Sequence, residues 1–304
     1  MSPTLAALLP IFAIIALGYT MRRLDFPGQG FWAPAERLTY FVLFPALLVN
    51  NLANAEFGDL PAVPMALAIG ATFTALSLGL IALRRRLRVD GPGFTSVFQG
   101  AVRMNTYVGL AGAVALGGQV GLTLAAVAIA VIVPLVNLFS VSVLCRYAGD
   151  RPAPLGRVAG ELARNPLLLA CAVGLALNGL GRGVPWGGGA VLSLLGRAAL
   201  TIGLLAAGAG LQLQRIRRSR GLILATAGLK LVVLPLLTAL VCKILGVDGL
   251  PATVAVLFSA LPGAPSAYIL ARQMGGDAPL MASIITVETA FACATLPAVL
   301  SWLG

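Results

Sequence analysis

The sequence predicts an all-α integral membrane protein with ten transmembrane helices, arranged as two inverted five-helix repeats with helices 4 and 9 broken. Three observations predict it: the composition, the number of apolar segments, and a matched pair of interruptions. The chain of 304 residues is 59% hydrophobic and 10% charged, with a mean hydropathy of +0.96. A soluble domain would carry roughly 25% charged residues.

Ten segments are long and apolar enough to cross a bilayer, which takes about 20 apolar residues. They cover 4–21, 37–54, 61–83, 94–117, 121–145, 165–181, 189–211, 221–243, 251–272 and 278–301. The first lacks a basic residue before its apolar run and a small-residue cleavage site after it. We therefore expect a membrane helix there rather than a signal peptide.

The two halves of the chain repeat one pattern of segments. A shift of about 160 residues places each of the first five segments on one of the second five. Five spans are an odd number, so the second set enters the membrane from the opposite face, as in inverted-repeat carriers. This predicts two domains, residues 1–150 and 151–304.

The net charge of +11 reflects topology rather than a nucleic-acid partner. With both termini outside, most basic residues fall on the inner side, as expected when cytoplasmic loops retain positive charge. These residues are Arg22, Arg23, Arg37, Arg84, Arg85, Arg86, Arg88, Arg146, Arg151, Arg157, Arg164, Arg215, Arg217, Arg218, Arg220 and Arg272. We expect a multi-pass protein of the cell inner (plasma) membrane with periplasmic termini and the lipid bilayer as its surroundings.

The interruptions carry the candidate binding residues. One lies in the fourth segment and the other in the ninth, and each places helix-disfavouring or polar residues inside an apolar run. Unwound backbone survives at membrane depth only beside protein or a watery cavity. A matched pair of broken segments points to a substrate site. The predicted binding residues are Arg103, Asn105, Thr106, Tyr107, Pro262, Gly263, Ser266 and Tyr268.

The chemistry of a helix break favours an anion. The second half of each broken helix starts with free N–H groups and a partial positive charge. Asn105, Thr106 and Ser266 add neutral donors that can orient a carboxylate. The alternative is structural, with Asn105 capping the second half-helix and the prolines producing an ordinary kink.

Four ionisable residues lie near mid-depth, where they are costly and therefore functional candidates: Arg103, Arg197, Lys230 and Glu288. Three positive charges against one negative suit an anionic substrate. Arg197 either contacts the substrate or snorkels along a cavity wall. Glu288 either couples transport to an ion or forms a structural pair with Lys230 or Arg103, and Lys230 is interpreted as structural.

Other polar residues within the spans receive weaker assignments. Gln99, Asn50, Asn51 and Asn137 are interpreted first as interhelical hydrogen-bonding residues. Asn50 and Asn51, which follow Pro45 in the second helix, are also candidates for the pathway lining. The small-residue run 203–210 is interpreted as a close-packing face that would also suit homodimer contacts.

The sequence contains few of the residues and motifs that catalysis, metal binding or cofactor binding would need. The chain has no histidine, no paired membrane carboxylates and no nucleotide-binding GxxxxGK[ST] motif. Its four cysteines are scattered without CxxC spacing, which favours packing over a metal site. We expect neither an enzyme nor a bound cofactor or metal.

Five motifs resemble the auxin efflux carrier family in order and spacing along nearly the whole chain. They are Phe44-Pro45-Ala46-Leu47-Leu48, Asn105-Thr106 with Gly109, Arg164-Asn165-Pro166 with Gly174, Leu261-Pro262 with Ala271-Arg272, and Thr295-Leu296-Pro297. The resemblance implies a carrier of small carboxylates whose fourth and ninth helices cross near the midplane.

The chain departs from the family pattern at one point. Members often carry a proline soon after the glycine of the fourth helix, where this sequence has Leu110-Ala111-Gly112. Glycine relaxes a helix but does not remove a backbone donor as proline does. The second break, with Pro262 and Pro265 on either side of Gly263, is the stronger of the two.

The sequence thus predicts a secondary transporter of a small organic anion, a mono- or dicarboxylate of auxin-like or malonate-like type, that works by elevator-type alternating access. One alternative is a sodium-coupled symporter of the bile acid type, which is related in fold. A second is a membrane sensor that binds a ligand without moving it. An intramembrane enzyme is the weakest, since the catalytic groups are missing.

Overall fold

The computed structural model describes residues 3–28, 30–55, 61–87, 89–148, 160, 163–164, 166–181, 184, 188–211 and 220–303, and every regular element in these ranges is a helix. In the first half these are α1 (Pro3–Arg23), α2 (Trp32–Leu38), α3 (Phe44–Ala53), α4 (Ala62–Leu83), α5 (Gly91–Val102) and α6 (Thr106–Tyr147). In the second half they are α7 (Pro166–Gly179), α8 (Gly188–Ala209), α9 (Arg220–Gly228), α10 (Leu234–Ile244), α11 (Gly249–Ser259), α12 (Pro265–Gln273) and α13 (Ala278–Leu303).

Two short π-helical turns join consecutive helices into longer rods. Thr39–Leu43 joins α2 to α3, and Leu229–Val233 joins α9 to α10. In both cases the second residue of the following helix is a proline, Pro45 or Pro235. A proline ring inside a helix clashes with the carbonyl four residues earlier, and a one-residue widening accommodates it.

Five of the described helical stretches are long and apolar enough to cross a membrane: Ala62–Arg86, Gly91–Tyr147, Gly188–Ala209, Arg220–Ile244 and Ala278–Trp302. The all-helical membrane class is therefore confirmed. The stretch Gly91–Tyr147 holds two of the predicted spans, and Gly118, with φ 54° and ψ −133°, breaks it between them. Only glycine adopts such a backbone conformation at little cost.

The helices pack in two groups. The first contains α1, α2, α3, α7 and α8, in which α1 lies on α8 and α3 lies between α7 and α8. The second contains α4, α5, α6 and α9 to α13, with α6 between α4 and α11 and with α13 against α5, α9 and α12. The groups meet where α6 packs on α1, α3, α7 and α8, and where α1 packs on α13.

Glycines set the spacing inside the first group. A Cβ on Gly208 would lie 1.9 Å from the carbonyl oxygen of Ile15, and one on Gly18 would lie 2.1 Å from that of Leu205. The backbones of α1 and α8 are therefore in direct contact, as small residues allow in membrane helix pairs. This confirms the run 203–210 as a close-packing face.

Several sequence predictions concern positions outside the described residues. They include the domain boundary at 150/151, Asn165 of the sixth-helix motif, and Arg88, Arg151, Arg157, Arg215, Arg217 and Arg218 of the predicted inner loops.

Candidate functional site

The first break separates α5 from α6 at residues 103–105. Arg103 follows the last residue of α5 with extended backbone angles (φ −79°, ψ 146°), and Asn105 precedes α6 with φ −77° and ψ 97°. The Asn105 Oδ1 atom accepts hydrogen bonds from the backbone N–H groups of Tyr107 (3.1 Å) and Val108 (3.4 Å). Asn105 therefore caps α6, as the structural interpretation of the sequence held.

The second break separates α11 from α12 at residues 260–264. Ala264 has extended angles (φ −88°, ψ 142°), and α12 begins at Pro265. A proline suits the first helical position because its missing N–H would have no intrahelical partner there. Both predicted interruptions are thus present as non-helical backbone.

The two breaks are bonded to each other. The backbone N–H of Asn105 donates to the carbonyl oxygen of Pro262 over 2.8 Å. Asn105 is 3% exposed, so this bond lies away from solvent. Breaking it would leave a buried donor and a buried acceptor unpaired, at a cost of about 1–3 kcal/mol for each group. The bond fixes the two non-helical segments relative to one another.

Glu288 on α13 is hydrogen-bonded to the backbone of the second break. Its Oε2 atom accepts a hydrogen bond of 2.8 Å from the backbone N–H of Gly263. Lys230, in the π turn between α9 and α10, attracts this carboxylate electrostatically and lies 5.2 Å from the centre of the Phe73 ring. Both charged side chains are 0% exposed. Of the two partners that the sequence offered Glu288, the structure favours Lys230.

A polar cluster surrounds this pair. Glu288 Oε1, Lys230 Nζ and both amide atoms of Gln99 are buried without a hydrogen-bond partner in the described part of the chain. Gly100, next to Gln99 on α5, lets α5 pack closely on α13 and α9, because a Cβ there would lie 2.7 Å from Ile284 Cγ2 and 2.9 Å from Thr226 Cγ2. The cluster lies behind the breaks and is lined by α5, α13 and the π turn.

A cavity of about 560 Å³ opens on the other side of the breaks. It lies between α2, the two breaks and the flank of α6, so both helix groups form its walls. Five of the predicted binding residues line it: Arg103, Asn105, Thr106, Tyr107 and Ser266. Residues without a predicted binding role that also line it include Glu36, Arg37, Tyr40, Phe41 and Asn137.

Two contacts orient the polar wall of this cavity. Arg103 Nη1 donates a hydrogen bond of 3.1 Å to Asn137 Oδ1 on α6. The Tyr107 ring stacks on that of Phe44, with centroids 4.5 Å apart and planes 7° from parallel. Asn137 thus makes the interhelical bond that the sequence predicts, and it also belongs to the cavity wall.

The remaining predicted site residues do not line this cavity. Pro262 and Gly263 form the joined backbone behind it, and Tyr268 packs against the hydrophobic core. The carbonyl oxygen of Asn50 accepts a hydrogen bond from Asn54, and Arg197 is exposed on α8. Glu288 lies in the buried cluster.

No binding role was predicted for Glu36 or Arg37. The second span was predicted to start at 37, so Arg37 was assigned to its inner end and Glu36 fell outside it. The helix begins earlier, at Trp32, and places this pair on α2 beside the cavity. The aromatic pair Tyr40-Phe41 one turn later was the available signal, since residues four apart share a helix face.

Comparison with known proteins agrees with this architecture. Residues 153–300 match the model of a family described as membrane transport protein. The chain is also 26% identical, over 295 residues and 95% of each chain, to a protein of Methanothermobacter thermautotrophicus described as an uncharacterized transporter. Over its second half by the family model, and over nearly its whole length by the relative, the chain is therefore similar to membrane transport proteins.

Proposed function

We propose that this protein is a secondary transporter that carries a small organic anion, a mono- or dicarboxylate, through the cavity beside the two joined breaks. The observation that carries the proposal is the placement of Arg103 and the start of α6 in the wall of one cavity of about 560 Å³. A cavity of this size is in the range of small-molecule sites.

The charge of the cavity suits an anion. Its described walls contain the guanidinium groups of Arg37 and Arg103 and the single carboxylate of Glu36. The N-terminal ends of α6 and α12 also border it, and helix N-termini favour negative charge. Asn137 fixes the Arg103 guanidinium, and a preoriented guanidinium is well suited to a carboxylate.

The two helix groups support alternating access of the elevator type. The breaks belong to one group and α2 belongs to the other, so the cavity lies at their boundary. Rigid movement of α4, α5, α6 and α9 to α13 against the first group would carry the bound anion across the membrane. The tight contact between α1 and α8 suits a fixed scaffold, which could also hold a homodimer.

The positions of the breaks support the ten-span, inverted-repeat topology. The starts of α6 and α12 lie about 160 residues apart, the offset that relates the other predicted spans. In this topology both termini face the outside of the inner membrane. Glu288 would hold the second break in place, and the ion-coupling role predicted for it stays a prediction.

Counterflow in proteoliposomes tests the proposal. Vesicles containing the purified protein and unlabelled malonate are diluted into trace radiolabelled malonate, and a parallel set uses indole-3-acetate. We expect transient accumulation of at least one label, absent from protein-free vesicles and strongly reduced by Arg103→Gln. Asn54→Ala, at an exposed asparagine away from the cavity, serves as the matched control.

The same vesicles separate the alternatives. A ligand sensor would bind a carboxylate but move no label. A sodium-coupled symporter would show counterflow only when sodium is present. No label movement with any mono- or dicarboxylate of a broad panel would overturn the proposal.

A further inference from the structure

Glu36 places a carboxylate inside the cavity assigned to an anion. It lies on α2, is half-buried, and lines the cavity together with Arg103 and Tyr107. It is close enough to the Tyr107 phenol to act on it electrostatically. Within the described residues its carboxylate has no hydrogen-bond or ion-pair partner.

An ionised Glu36 would repel the substrate proposed above. The conflict disappears if the carboxyl group is neutral when the anion is bound. Partial burial favours the protonated form of a carboxyl group, and so does the negative charge of an anion bound beside it. Anion and proton would then bind the cavity together, each increasing the affinity for the other.

The protonation of Glu36 depends on the charged and titratable side chains that line the same cavity. From α2 they are Arg37 and Tyr40, from the first break Arg103, and from α6 Tyr107. The parts of α7 and α12 that line the cavity contribute no charged or titratable side chain, and Arg197 of the adjacent α8 does not line it. Glu36 is therefore the one carboxylate among the described residues of the cavity wall.

A cationic group on the substrate would be another way to neutralise Glu36. Such a group would enter a cavity with two guanidinium groups on its walls, which repel it. Glu288 is a weaker proton carrier because it is fully buried behind the breaks and bonded to Gly263. These contacts favour a proton on Glu36.

We propose that Glu36 binds the proton that is carried together with the organic anion, so that the proton gradient drives transport. This inference rests on the proposed function. An O–H bond forms between the proton and the Glu36 carboxylate as the anion binds. The same bond breaks when proton and anion leave on the other side of the membrane, and the carboxylate is restored.

The test uses the full-length protein in liposomes with radiolabelled malonate as the probe. Without internal malonate, an inward proton gradient should drive the label above its equilibrium level. Glu36→Gln should reach only equilibrium, and its malonate counterflow should no longer change with pH. Asp248→Asn, at an exposed carboxylate away from the cavity, should behave as the native protein.

A second variant covers the case in which Glu36→Gln does not fold. Glu36→Asp keeps a titratable carboxyl but withdraws it by one methylene, so the pH midpoint of gradient-driven uptake should shift. An unchanged midpoint would contradict the role of Glu36. Malonate-driven acidification of the vesicle interior, read with a trapped pH dye, should accompany uptake by the native protein.

The outcomes separate this inference from the proposed function. Absence of counterflow by the native protein would overturn the proposed function, and with it the role of Glu36. Counterflow without any response to the proton gradient would overturn the proton inference alone. Gradient-driven accumulation by Glu36→Gln equal to that of the native protein would do the same.

Discussion

Asn105 donates its backbone N–H to the carbonyl oxygen of Pro262, and this 2.8 Å bond joins two helix breaks that are about 160 residues apart in the sequence. The same residue caps α6 with its side chain and lines the cavity. One asparagine thus connects the joined backbone to the proposed anion site.

The two roles of Asn105 can be separated by substitution. Asn105→Ala loses the cap and should lower the free energy of unfolding by about 1 kcal/mol as well as reduce flux. Asn105→Asp keeps an oxygen acceptor for the N–H groups of Tyr107 and Val108 but adds a negative charge to the cavity. It should keep thermal stability and lose anion counterflow.

Thermal denaturation in detergent and malonate counterflow together check this prediction. Asn54→Ala, matched in residue type and exposed, is the control. Equal losses of flux for Asn54→Ala and Asn105→Ala would show that the effect is not specific to the break.

Lys230 and Glu288 should behave as one unit. Glu288→Gln leaves a buried ammonium group without its counter-charge, and Lys230→Met does the same for the carboxylate. Each single variant should destabilise the protein by roughly 3 kcal/mol. The double variant removes both charges and should be more stable than either single variant. Additive losses in a double-mutant cycle would show that the two residues are independent.

The contact between α1 and α8 should not tolerate a side chain at Gly208. A Cβ there would lie 1.9 Å from the Ile15 carbonyl oxygen, so Gly208→Ala must push two backbones apart. We expect a loss of about 1–3 kcal/mol of stability, measured as a lower midpoint of thermal denaturation. Gly79→Ala is the matched control, because nothing lies within 4 Å of a Cβ at that helical glycine. An equal midpoint for both variants would argue against direct backbone contact.

The two breaks were predictable because Asn105, Pro262, Gly263 and Pro265 each disfavour a continuous helix. Their bond to each other was not, since it depends on how α5, α6, α11 and α12 pack. Glycine spacing in the run 203–210 likewise predicted close packing but not its partner, α1. These contacts join distant parts of the chain, which local sequence patterns do not specify.

Among the charged residues in or beside the apolar segments, Glu288 was identified as a candidate from the sequence, but Glu36 and Arg37 were not. The second span was predicted to start at 37, with Arg37 at its inner end and no role for Glu36, yet both residues line a cavity. Glu288 was singled out because charged residues are costly in lipid, and its buried position beside Lys230 agrees. Hydropathy alone does not distinguish a lipid-facing position from a cavity-facing one.

The central claim, that the carried anion occupies the cavity beside the joined breaks, is tested most directly by substrate protection. Ser266, which lines the cavity, is replaced by cysteine after Cys145, Cys171, Cys242 and Cys293 are removed, and exposed Ser301→Cys serves as the control. Labelling by a membrane-impermeant, negatively charged thiol reagent is timed with and without malonate. The account predicts that malonate slows labelling of Ser266→Cys several-fold and leaves Ser301→Cys unchanged. Equal labelling rates at Ser266→Cys, in a protein that performs malonate counterflow, would contradict it.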